Sequence, residues 1–236
     1  MNMAKAKDTC FDSGQAEGCE AVRKMFQGVD RVETLAAKLT AQPGEFGGHV
    51  RRVREITNYL LAHTPAGEAL TPEMAEQVDL GVILHDVGKL RISASILEKS
   101  GKLTREEYEI MKAHTIYGAE LLRQIPRFES HAAFACVYDI VRHHHERWDG
   151  RGYPDGLRGK EISVWVQVMS MADVYDALVT KRVYKDALAY DKVAQMMMNG
   201  ECGAFRPEML RYFLGVEPKL RTFYADRADG KATHEK

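Results

Sequence analysis

Apolar residues recur at three- and four-residue steps along nearly the whole chain, a pattern that predicts helices throughout. Val22, Met25, Phe26, Val29, Val32, Ala36 and Leu39 form a first stripe, one long helix broken by Gln42-Pro43-Gly44. A second helix is predicted from about Glu45 to Ala62, with Val50, Val53, Ile56 and Leu60 facing the core. Thr64-Pro65-Ala66-Gly67 reads as a loop, and Pro72 suits the first position of a third helix that ends near His85. Thr104-Arg105-Glu106-Glu107 is a capping box that opens a helix carrying Tyr108, Met111, His114 and Leu121 before Pro126. Further helices are predicted from Ala132 to His145, from a Ser163 cap to Leu178, and from an Asp191 cap to Gly200. A short last one runs from Pro207 to Gly215. Asp149–Gly159 is a Gly/Pro/Asp loop.

There is no alternating strand run and no internal repeat. The fold class expected is all-α: one compact helical domain over 41–224, an N-terminal tail and helix over 1–40, and a charged tail over 225–236. The apolar stripe of the N-terminal helix is expected to pack on the bundle; pairing with a second subunit as a homodimer is the alternative.

Composition removes several classes of function. The 236 residues are 45% hydrophobic and carry a net charge of −1, so no global field draws a nucleic acid polymer or an anionic membrane. No run of about 18 apolar residues is present to cross a bilayer, and Met1 to Gly18 lacks the apolar core of a signal peptide. Cys10, Cys19, Cys136 and Cys202 show no Cys-x-x-Cys spacing, which fits reduced thiols and a cytoplasmic location. No receiver or sensor domain is expected before the core.

The candidate chemistry lies at helix ends. Glu45 and His49 are spaced i and i+4, so both side chains can reach one ion; the alternative is a helix-start carboxylate and an unrelated histidine. His85-Asp86 emerges from Leu80-Gly81-Val82-Ile83-Leu84, where a buried carboxylate needs a cation to offset its desolvation, unless the pair simply ends a helix with Lys89 on its dipole. His114 shares a helix with Ile110 and Met111, and a lone histidine on an apolar face is more often a hydrogen-bonded core residue than a ligand. His144 and His145 diverge by about 100° on a helix and meet one cluster only near its end. Asp173 follows Met169-Ser170-Met171-Ala172, again an apolar context, with Asp176 at i+3. Together Glu45, His49, His85, Asp86, His114, His144, His145 and Asp173 offer nitrogen and oxygen donors and no sulfur. That set suits iron, manganese, cobalt, nickel or zinc better than magnesium. Eight side chains leave two six-coordinate ions with open positions, so the site is read as catalytic. A positive cluster that generates hydroxide near neutral pH, with a lysine on the phosphoryl oxygens, suits phosphoester cleavage.

The chain resembles the HD-GYP domains, a branch of the HD metal-dependent phosphohydrolases. The resemblance rests on Glu45 to Val53, His85-Asp86-Val87-Gly88-Lys89, Lys112-Ala113-His114, His144 to Pro154 and Asp173 to Lys185, in family order, with Asp-Gly-x-Gly-Tyr-Pro the most specific. It implies an HD-type helical bundle that hydrolyses cyclic di-GMP to pGpG, and on to GMP, at two or three divalent ions, iron or manganese first. It implies His49, His85, Asp86, His114, His144, His145 and Asp173 as ligands, with Asp86 bridging. Glu45 is implied as the extra carboxylate of a three-metal site. Lys89 is implied on the scissile phosphate, Arg182 and Lys185 on the other phosphate or a guanine, and Tyr153 in shaping the cleft. Two alternatives stay open. One is hydrolysis of another dinucleotide such as cyclic GMP-AMP. The other is a non-catalytic module docking a diguanylate cyclase (GGDEF) partner through the Gly-Tyr-Pro loop.

Overall fold

The stripe that opens the chain divides at a glycine. In the computed structural model, which describes residues 22–42, 44–68, 70–181 and 187–228 (side chains at 44, 45 and 223–228 excepted), residues 22–26 form α1 and Val32–Thr40 form α2. Gly28 between them has φ 71°, a left-handed conformation that ends a helix, so the single predicted helix is two. The apolar spacing survives the break because both pieces face one core: Val22, Met25, Phe26 and Val29 pack against the cluster that holds Val32, Leu35 and Leu39.

The chain continues through α3 (Gly44–His63), α4 (Pro65–Glu68), α5 (Pro72–Leu84), a 3₁₀ turn (Val87–Arg91), α6 (Ala94–Leu97), α7 (Arg105–Lys112) and α8 (His114–Arg123). After these come α9 (Phe134–His143), α10 (Val164–Val179), α11 (Tyr190–Met198) and α12 (Pro207–Ala228). No strand occurs among the described residues, and no helix among them is long and apolar enough to cross a membrane.

Several boundaries differ from the sequence expectation. Thr64–Gly67 is not a loop: Pro65 starts the one-turn helix α4. The helix expected from Thr104 to Pro126 bends at Ala113 into α7 and α8, which puts His114 at a helix start. Ser163 sits at the N-cap of α10 but its hydroxyl donates to Asp139 Oδ2 at 2.5 Å, so it caps nothing. Ala189 is the N-cap of α11, and Asp191 lies in its first turn, paired with Arg221 at 2.6 Å. The last helix does not stop at Gly215. It passes through Pro218 to Ala228, into the predicted tail, because burial holds it on both sides of the proline. Phe213 and Leu220 are fully buried, and the buried Glu217 accepts the Tyr175 hydroxyl at 2.8 Å.

Two apolar clusters make the core, and three helices belong to both. α3 gives Val53, Ile56 and Leu60 to one and Val50 to the other; α5 divides Val78 and Val82 from Ile83 and Leu84; α9 divides Ile140 from Val137 and Val141. These helices also carry or end in His49, His85 and His144, so core packing fixes the position of the histidines.

Candidate metal centre

His49, His85, Asp86, His114 and His144 are at most 5% exposed, in an otherwise apolar interior. Three of them sit where helices begin or end: His85 is the C-cap of α5, His144 the C-cap of α9, and His114 the first residue of α8. Asp173 comes from α10, so five helices do converge.

Backbone carbonyls set the orientation of the rings. Nδ1 of His85 donates to Val82 O at 2.6 Å, Nδ1 of His114 to Met111 O at 2.7 Å, and Nδ1 of His144 to Ile140 O and Val141 O, both at 3.1 Å. A neutral imidazole that donates from Nδ1 presents a lone pair at Nε2. Burial outweighs the Asp86 charge and holds the pKa values of His114 and His144 below the ordinary value, helped by Lys89 at His114 and by the neighbouring imidazoles at His144, so both are neutral. Their Nε2 atoms then face each other at 3.2 Å as two acceptors, an arrangement that a shared cation satisfies.

The donors fall into two groups, His49/His85/Asp173 and His114/His144/His145, each with ligand atoms within 4.8 Å of one another. Asp86 lies between them with its oxygens divided. Oδ2 is 3.3 Å from His85 Nε2 and 3.8 Å from His49 Nε2, whereas Oδ1 is 3.4 Å from His114 Nε2 and 3.9 Å from His144 Nε2. Burial raises the Asp86 pKa, but the charges of Lys89, 2.5 Å away, and His85 prevail and hold it well below the carboxylate range. Asp86 Oδ1 and His85 Nε2 are buried without a hydrogen-bond partner. A buried polar group left so is costly, and divalent ions at these positions remove both costs. The residues therefore fit a dinuclear site of nitrogen and oxygen donors.

His49 behaves differently. Its Nδ1 donates to Asp176 Oδ2 at 2.7 Å and its Nε2 lies 3.3 Å from Asp173. Burial lowers its pKa, yet the hydrogen bonds and charges of Asp173 and Asp176 outweigh that and raise it to about 9. Asp176 is fully buried and also accepts Arg52 Nε at 2.6 Å; these bonds overcome burial and bring its pKa to about 2.

The 3₁₀ turn that Asp86 caps and that carries Lys89 lies flush against α8. A Cβ on Gly88 would fall inside the radius of the His114 carbonyl oxygen and 2.5 Å from Gly118 N, both backbone atoms. Gly88→Ala is therefore expected to lose at least about 3 kcal/mol of stability in urea unfolding, since neither backbone can yield without moving His114.

The signature loop covers the second group. The Tyr153 ring stacks on His145, with centroids 4.8 Å apart. Glu146, only 2% exposed, accepts the backbone N–H groups of Asp155 at 2.7 Å and Gly156 at 2.9 Å. His143 bonds Asp139 at 2.7 Å and Asp155 at 2.9 Å, and Arg142 forks onto Asp155. Glu146→Ala is expected to speed amide exchange at Asp155 and Gly156 by about tenfold to a hundredfold, given about 1.5–3 kcal/mol for a hydrogen bond to a charged group.

Seven predicted donors thus lie together, with Lys89 and Tyr153 beside them. Glu45 is in the first turn of α3, one turn before His49; its side chain lies outside the described residues, as do Arg182 and Lys185. Asp176 and Glu146 were absent from the sequence-derived site. Asp176 was visible only as i+3 from Asp173, and Glu146 only as the third residue of His-His-Glu.

A profile of the HD domain family matches residues 33–203. A Vibrio cholerae cyclic di-GMP phosphodiesterase is 39% identical over 194 residues, covering 80% of this chain and 39% of that protein. A Vibrio cholerae 3'3'-cGAMP-specific phosphodiesterase 2 is 37% identical, covering 78% of this chain and 34% of that protein. The chain thus spans well under half the length of either relative. The solved structure of Bd1817, an HDG"Y"P protein from Bdellovibrio bacteriovorus, aligns with a TM-score of 0.60 at 18% identity over 91% of this chain and 74% of its own, a likeness of fold. The chain belongs to the HD domain family, in its HD-GYP branch.

Proposed function

We propose that this chain, with residues 41–224 as its catalytic domain, hydrolyses cyclic di-GMP to pGpG and then GMP. The observation that carries this reading is the division of the Asp86 carboxylate between two donor groups, one oxygen to each. In this proposal His49, His85 and Asp173 hold one ion, His114, His144 and His145 a second, and Glu45 serves a third. Ions held there supply positive charge to phosphoryl oxygens and a water acidic enough to react near neutral pH. Imidazole and carboxylate donors suit iron, manganese, cobalt, nickel or zinc, and the resemblance to the HD-GYP domains puts iron or manganese first.

The chain's own groups orient the substrate. Lys89, 26% exposed beside Asp86, places an ammonium where the scissile phosphate would enter. Arg182 and Lys185 follow α10 and are proposed to meet the second phosphate or a guanine. Tyr153 closes one wall, packed against His145, and keeps water from that side of the ring. The relatives named for cyclic di-GMP and for 3'3'-cGAMP support a cyclic dinucleotide substrate.

The test is incubation of protein loaded with iron, manganese or another divalent ion with cyclic di-GMP, followed by chromatography. Appearance of pGpG supports the reading; intact substrate with every ion overturns it. The second relative also makes cyclic GMP-AMP a substrate to compare: a faster rate on it would reassign base preference without changing the chemistry.

A further inference from the structure

On α7, Tyr108 is 49% exposed, one of few large apolar side chains so exposed among the described residues. The Lys112 ammonium stands 5.6 Å from the Tyr108 ring centroid and 5.7 Å from that of Tyr153. It therefore lies between an exposed aromatic face and the ring stacked on His145. Lys112 also pairs with Glu109 at 2.7 Å, whose side chain is 59% exposed.

We infer that Tyr108, Lys112 and Glu109 form a guanine-reading rim at the mouth of the metal centre. The inference rests on the proposed cyclic dinucleotide reading and names its base contact. A half-exposed tyrosine ring is a platform on which a base stacks. Guanine presents two adjacent acceptors, O6 and N7, to a donor such as Lys112, whereas adenine presents one acceptor and an amino group that repels it. Guanine also carries an N2 amino donor, which adenine lacks, and the Glu109 carboxylate accepts from such a group. Separating Lys112, 28% exposed, from Glu109, 59% exposed, to admit a base costs little, since a pair open to solvent on one side contributes little. A lysine on a bare helix surface would show the same salt bridge. It would not stand between two tyrosine rings, one of them packed on a histidine of the centre.

The test is equilibrium binding of GMP and AMP to the metal-loaded protein, with metal content measured for each variant. Wild type is expected to bind GMP more tightly than AMP. Tyr108→Ala is expected to weaken GMP about tenfold, the effect of losing one stacked base. Lys112→Gln is expected to weaken GMP about tenfold while AMP changes by less than about twofold, and Lys112→Arg to restore the preference. Equal affinity for GMP and AMP in wild type, unchanged GMP binding in Tyr108→Ala, or equal loss of both nucleotides in Lys112→Gln overturns the rim. Wild type is incubated with cyclic di-GMP in parallel. Retained GMP preference with intact cyclic di-GMP upholds the rim and sinks the hydrolase reading. Hydrolysis without base preference sinks the rim alone.

Discussion

Asp86→Ala is expected to lose bound metal and cyclic di-GMP hydrolysis together, with the rate falling by about a thousandfold or more. Among the described residues, Asp86 is the one carboxylate within 4 Å of imidazoles from both donor groups, through a different oxygen for each. Removing it leaves His114 and His144, both neutral, facing each other with no anion between the groups. A metal site contributes several kcal/mol to phosphoryl transfer, and each 1.4 kcal/mol is a factor of ten. Metal content is measured by elemental analysis and turnover by chromatography of the products. Asp86→Asn separates charge from shape, since it retains one oxygen acceptor and fills the same space. If metal content survives in both variants while turnover disappears, Asp86 acts on substrate and not as the shared ligand. Full turnover in either variant overturns its role altogether.

Much of the fold was legible from apolar stripes, although the stripe that opens the chain divides at Gly28. The stripes of α3, α5, α9 and α10 were enough to place His49, His85, His144 and Asp173 on separate helices with apolar faces. Their convergence followed from the cost of burying a carboxylate or imidazole in apolar surroundings without a cation. What could not be read was set by tertiary contact. Pro218 stands inside α12 because Glu217 and Leu220 are buried on either side of it, which overrides a local rule against proline in helices. The bend at Ala113 aims His114 inward, while the stripe through Met111, His114 and Leu121 reads as one continuous helix. Asp176 orients His49 from 127 residues away, a pairing that no local pattern contains. Glu146 secures the signature loop through backbone N–H groups, which leave no trace in residue identity.

That distant pairing gives the second large effect: metal affinity is expected to rise with pH up to about 9. In the metal-free protein His49 titrates at about 9, well above its ordinary 6.5, because Asp173 and Asp176 outweigh burial and hold its proton. The sign follows directly. The proton stabilises the metal-free fold fully below about 6.5, and that contribution is lost as pH rises through about 9. An ion that takes Nε2 must displace this proton, so apparent affinity climbs about tenfold per unit well below the pKa and differs by about fiftyfold between pH 7 and pH 9. Titration calorimetry with Mn²⁺ in buffers of different ionisation enthalpy measures both the affinity and the release of about one proton near pH 7. Asp176→Asn should lower the pH at which affinity levels off to below about 9, because the amide oxygen still accepts Nδ1–H but carries no charge, leaving Asp173 alone to hold the second proton. The same variant should bind metal about 10–100-fold more weakly at pH 9, the usual effect of removing a group that orients a ligating histidine. An affinity independent of pH in wild type, or a levelling-off in Asp176→Asn at the same pH as in wild type, would show that His49 does not exchange its proton for the ion.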